Sequence, residues 1–180
     1  MGLIDRNFKE IFFSQIVSII GGLIAGTFLA LYVDKLLLLP GMLILLPGFL
    51  EMRGNVSGTF ASRLSSGLFL GVIKPNKIKT KLIKGNLLAS FILVIFVSFI
   101  LGIIAFLFNY FIFNIFTLKI IFLPIIASII ANSLEIPLTL FATFYLFKKG
   151  HDPNNIIGPF ITSTGDITSI LALLITLVII

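Results

Sequence analysis

The chain has no cysteine, no tryptophan, one histidine and seven acidic residues among 180. Without thiols there is no disulfide framework, iron–sulfur cluster, thiolate metal site or cysteine nucleophile. One histidine and scattered acids assemble no Ser/His/Asp arrangement, histidine cluster or pair of catalytic carboxylates, so an enzyme is not expected. Charge is scarce as well, at 11%, against 58% hydrophobic residues and a mean hydropathy of +1.20. A soluble globule carries about 25% charged and about 45–50% apolar residues. This chain lacks the polar surface to face water and reads as an all-α integral membrane protein in the lipid bilayer.

What is present in quantity is long apolar sequence. Five stretches reach the roughly 20 residues a spanning helix needs, at 11–32, 36–72, 83–113, 120–147 and 153–180. Alternating segments of the β-barrel type are absent. No cleavable signal is expected, because the first run is of full length. The net charge of +6 is distributed as topology rather than as a nucleic-acid surface. Lys74, Lys77, Lys79, Lys81 and Lys84 crowd the second link, Arg6 and Lys9 precede the first span, and Lys148 and Lys149 precede the fifth. These three basic groups share the cytoplasmic side if the chain crosses five times, with the N-terminus inside and the C-terminus outside. The second segment is too long for one span: a continuous helix over 36–72 would measure roughly 55 Å against a core of about 30 Å. Pro40 and Pro47 are expected to break it.

Charges far from any loop are functional candidates, because hydrocarbon solvates them poorly. These are Glu51, Arg53 and Arg63 in the second segment, Glu135 in the fourth and Asp166 in the fifth. Helical spacing gathers polar partners around them. Glu51, Asn55, Thr59, Ser62 and Ser66 succeed one another at steps of four, four, three and four, which makes one stripe. Thr162, Asp166 and Ser169 form a second row, continued by Asn155 and Pro159, and Asn132, Glu135, Thr139 and Thr143 a third. Asp166 is the sharpest candidate, half way along its segment with no basic neighbour there. Glu135 either lines the same path or pairs with Arg53 or Arg63, and Arg63 can equally snorkel to the surface. Ser57, Gly58, Ala61, Ser65, Ser66 and Gly67, with Gly22 and Gly26 in the first segment, are expected to let helices pack closely. His151 reads as an exposed loop side chain.

The stretch from Arg53 to Ser65, Arg-Gly-Asn-Val-Ser-Gly-Thr-Phe-Ala-Ser-Arg-Leu-Ser, resembles the Gly-Asn…Ala-Ser-Arg-(Leu/Ile)-Ser motif of eukaryotic solute carriers related to the MgtE magnesium transporters. The stretch Asp152-Pro153 to Gly158-Pro159-Phe160-Ile161-Thr162-Ser163-Thr164-Gly165-Asp166 is similar to the Asp-Pro…Gly-Pro-Phe-x-Thr-Thr…Asp motif of the last helix of MgtE. The resemblance implies an MgtE-like membrane domain of five helices in single-repeat form. Because the eukaryotic relatives fuse two such repeats, it also implies a two-fold homodimer. It implies divalent cation transport across the plasma membrane, Mg²⁺ first, with Asp166 as the acidic ion ligand and Asn55 and Thr59 facing the pore. Thr162 completes that set. Glu51, Glu135, Ser62 and Asn132 are the candidates for a second or coupling-ion site, and Arg53 and Arg63 for a structural ion pair. The chain departs from MgtE in carrying Arg53 where that family has glycine, and in Arg63, which the eukaryotic relatives share. About ten residues precede the first span, so no CBS pair or cytoplasmic N-domain is expected.

A hard ion that favours octahedral oxygen geometry suits a carboxylate, an amide and hydroxyls, and neither sulfur nor clustered imidazole is there to favour zinc or copper. Passive flow and Na⁺- or H⁺-coupled exchange are both compatible with these residues. The competing reading is a non-transporting membrane subunit or scaffold whose polar rows only lock helices together.

Overall fold

The structure is a computed structural model and describes residues 5–180. It is all helical, with α1 at Arg6–Leu36, α2 at Met42–Phe69, α3 at Lys81–Phe113, α4 at Lys119–Lys148 and α5 at Pro153–Ile179. Four of these are long and apolar enough to cross a membrane, α2 being the exception. Its charged and hydroxyl residues lower its apolarity without shortening it.

Local sequence sets the boundaries. Asp5 and Thr80 cap α1 and α3 by accepting from the Phe8 and Ile83 amides at 2.8 and 3.3 Å. Asp152 caps α5 by accepting from the Asn154 amide at 2.8 Å, with Pro153 in the first turn, where the missing amide hydrogen costs nothing. The expected break in the second segment falls at only one of its two prolines. Residues 37–41 form the turn between α1 and α2, where Pro40 is followed by Gly41 at φ +83°, a left-handed conformation suited to glycine. Pro47 lies inside a continuous α2. The stretch from 36 to 72 is therefore the last residue of α1, a turn and one unbroken helix, not a long broken helix.

The helices alternate in direction. At one end, Phe69 at the close of α2 meets Phe147 of α4 edge to face, centroids 5.3 Å apart. There Glu10 of α1 also binds the loop before α5 and the first turn of α5: its carboxylate contacts His151 Nδ1 at 2.9 Å and accepts from Asn155 Nδ2 at 3.1 Å and the Asp152 amide at 3.4 Å. At the other end, Asn109 of α3 donates to the Pro40 carbonyl at 3.2 Å, and Lys119 donates to the Ile180 carbonyl at 2.8 Å. The basic groups at Arg6/Lys9, Lys74–Lys84 and Lys148/Lys149 accordingly share one end of the bundle.

Helices α2 to α5 form the central unit, in which α2 and α4 each pack against the other three. Its main core joins Leu45, Phe49 and Val56 of α2 to Leu123, Ala127 and Ala131 of α4 and Leu173 of α5. Gly102 of α3 brings that helix against the backbone of Ile121 in α4, where a Cβ would collide. α1 lies along α5, its one extensive partner among the described residues. The expected small-residue contact of α1 is shifted by one position: Gly22 and Gly26 face open space, and Gly21 lies against Ser163 of α5.

Candidate cation site

Asp166 is the fourteenth of the 27 residues of α5 and so stands at its midpoint. Its side chain is 28% exposed and faces a cavity of roughly 390 Å³ in the cleft between α2 and α5. Glu51, Asn55 and Thr162 line the same cavity, with Pro47, Leu50 and Gly54 as its apolar and backbone wall. Thr162 donates its hydroxyl hydrogen to the Gly158 carbonyl at 3.0 Å, which leaves oxygen lone pairs for a cation. Asn55 donates to Glu51 Oε1 at 3.2 Å, so its amide oxygen is likewise unspent on that bond. The cavity thus offers two carboxylates, one amide oxygen and one hydroxyl, all hard oxygen donors. Among the described residues no three acidic or histidine side chains converge on one point.

Thr59 stands apart from this set. It lines a neighbouring groove against α3, with Leu93 and Val97, and Glu51 and Asn55 border both spaces. Ser62 lies farther along the α2/α5 cleft in a smaller cavity of about 170 Å³ with Ser65, Asn154 and Gly158. The two α2/α5 cavities track the polar stripe from the middle of the bundle toward the end bearing Lys148 and Lys149.

Behind Asp166 is a buried, charged layer. Arg53 and Glu135 are both fully buried. Arg53 Nη2 is 3.9 Å from Asp166 Oδ1, and Nη1 is 4.0 Å from Glu135 Oε1. Glu135 also accepts from Thr164 at 3.0 Å and from Thr168 at 3.4 Å. Sequence reasoning does not single out these two threonines, although their spacing of four places them on one face of α5. Asn132 is buried one turn from Glu135, and neither of its amide atoms has a hydrogen-bond partner among the described residues. Arg63 is exposed on α2 and makes no ion pair among the described residues, so of the two arginines weighed for a buried pair the structure places only Arg53 beside Glu135. His151 is an exposed loop side chain, as expected, and is engaged by Glu10.

Comparison with curated proteins and with solved structures finds no match. Residues 46–176, which run from the first turns of α2 nearly to the end of α5, match the family described as MgtE, divalent cation transporter. That span contains every residue of the cavity and of the layer behind it. With most of its length matched, the chain belongs to the MgtE family of divalent cation transporters.

Proposed function

We propose that the protein carries Mg²⁺ across the plasma membrane along the α2/α5 cleft, with Asp166 as the carboxylate that binds the ion midway. The observation that carries this reading is the convergence of Asp166, Glu51, Asn55 and Thr162 on one open cavity at the centre of two helices. Mg²⁺ keeps several waters and is held by one or two carboxylates, and this cavity has the volume for a partly hydrated ion. Thr59 joins the path on the α3 side. An inside-negative potential contributes about 2.3 kcal/mol per charge per 100 mV, twice that for a divalent ion. Glu135 is sealed in the core, where it accepts from Thr164 and Thr168 with Arg53 4.0 Å away, and Glu51 shares the cavity of Asp166. This supports downhill flow over exchange coupled to a separate ion.

The working unit is a two-fold homodimer. Glu51, Asn55, Thr59, Ser62 and Ser66 all lie on the less buried side of α2 in the single chain. A stripe of this kind is costly against lipid. A second copy related by closed two-fold symmetry covers it with its own polar stripe. All five helices then cross the bilayer, and the lysine-rich end, with the N-terminus, faces the cytoplasm.

The test is saturable flux into liposomes by the purified protein, with Mn²⁺, Co²⁺, Ca²⁺ and Zn²⁺ as competitors and the mass in detergent measured alongside. Asp166→Asn abolishes flux while the dimer stays folded. Wild-type flux in that variant overturns the assignment and favours a scaffold.

A further inference from the structure

Arg53 is fully buried, yet none of its three guanidinium nitrogens has a hydrogen-bond partner among the described residues, and both neighbouring carboxylates stand 3.9–4.0 Å away. Charge-assisted contacts close to about 2.7–2.9 Å when one partner is fully engaged. The guanidinium is therefore suspended between two carboxylates and closed onto neither. The two are not equivalent, since Glu135 is sealed in the core beside two threonines, while Asp166 opens to the cavity. Between them the guanidinium lies over Gly165, so no side chain obstructs the passage from one to the other.

We propose that Arg53 is a tethered counter-cation that competes with the transported ion for Asp166, shared between Asp166 and Glu135 when the cavity is empty and closing on Glu135 when a divalent cation arrives. The proposal rests on the reading of Asp166 as the ion's carboxylate. A divalent ion at Asp166 repels a guanidinium a few ångströms away, and Glu135 is the carboxylate that receives it. Asp166 is then never left bare in a medium that solvates charge poorly. Competition also weakens the hold on the ion, and a conduction site must bind loosely enough to release. The same device disfavours monovalent ions, which repel the arginine with half the charge.

The experiment is Mg²⁺ titration calorimetry and liposome flux on the purified protein with three variants. Arg53→Gln removes the competitor, and Mg²⁺ binds about tenfold tighter or more, the effect of removing one unit charge at this range, with slower maximal flux. Glu135→Gln keeps hydrogen-bonding capacity toward the two threonines but removes the charge that receives the arginine, and Mg²⁺ binds more weakly. The double variant behaves like Arg53→Gln and leaves Asp166 as the one charge of this layer. Fixed charges alone give the two single variants opposite signs and add in the double variant, returning it toward wild type; a double variant as tight as Arg53→Gln is the signature of competition, and one midway between the single variants overturns it. Unchanged affinity in folded Arg53→Gln, or shifts of the same sign, overturns the proposal while loss of flux in Asp166→Asn leaves the cation site standing. If Asp166→Asn transports normally, the site and the competition fall together. Failure of all three variants to fold also overturns it, because the charges are then needed for structure.

Discussion

The guanidinium of Arg53 lies against the backbone of Gly165, in the space that a Cβ at that position would occupy. The glycine beside the acidic residue of α5 is thus the floor of an arginine pocket. Gly165→Ala forces Arg53 out of its place between Glu135 and Asp166. Overpacking of this kind costs about 1–3 kcal/mol, and a displaced buried charge adds to it. A lowered melting temperature in detergent checks this, and Arg53→Gln in the Gly165→Ala background restores part of the loss.

Glu51 stands exposed at the cavity rim, and its one side-chain bond among the described residues is from Asn55. Glu51→Gln retains an oxygen for that bond and removes one of the two carboxylates facing the cavity. The protein stays folded, and half-saturation of Mg²⁺ flux rises about tenfold, as expected for loss of one nearby charge. Concentration-dependent flux in liposomes measures it, and an unchanged half-saturation would remove Glu51 from the site.

Glu10 joins α1 to the α4/α5 loop and the first turn of α5 through His151, Asn155 and Asp152, and also meets Arg6 at 3.1 Å. Glu10→Gln breaks the charged contacts together and lowers the melting temperature by roughly 2–6 °C, given the usual worth of charge-assisted hydrogen bonds. His151→Ala removes one partner and has a smaller effect. Equal melting temperatures for wild type and Glu10→Gln would show that the cluster holds nothing.

Gly21 and Gly22 are neighbours in sequence with opposite surroundings. A Cβ at Gly21 collides with Ser163, while nothing lies within 4 Å of one at Gly22. Gly21→Leu separates α1 from α5 and costs about 1–3 kcal/mol, whereas Gly22→Leu faces outward and is tolerated. Thermal unfolding of the two variants side by side distinguishes this register from the Gly22/Gly26 contact that the sequence pattern favours.

Helix content and the polar rows are legible in the sequence because both are local. Apolar length marks the helices, and steps of three and four mark Glu51–Asn55 and Thr162–Asp166 as rows. How a row divides among neighbours is not local. A helix advances about 100° per residue, so Thr59 lies about 80° around α2 from Glu51, and the row turns from the α5 cleft into the α3 groove. Arg53, two residues from Glu51, falls on nearly the opposite face, which is why one is exposed and the other buried. The choice of Arg53 over Arg63 as the neighbour of Glu135 is made by α4 packing against α2, a contact that no single-chain periodicity encodes. The break comes at Pro40, where Gly41 adopts the left-handed turn, and not at Pro47, where Gly48 remains helical, although a glycine follows each proline.

The seating of α1 along α5 has a consequence for biosynthesis. α1 emerges from the ribosome ahead of α2–α5, yet its extensive partner, and the Glu10 contacts that span more than 140 residues, exist only after α5 is made. Until then α1 waits in the bilayer without its neighbour, while α2, α3 and α4 can already pair. Among these five helices α1 can dock no earlier than α5 is made, so its attachment is a late step.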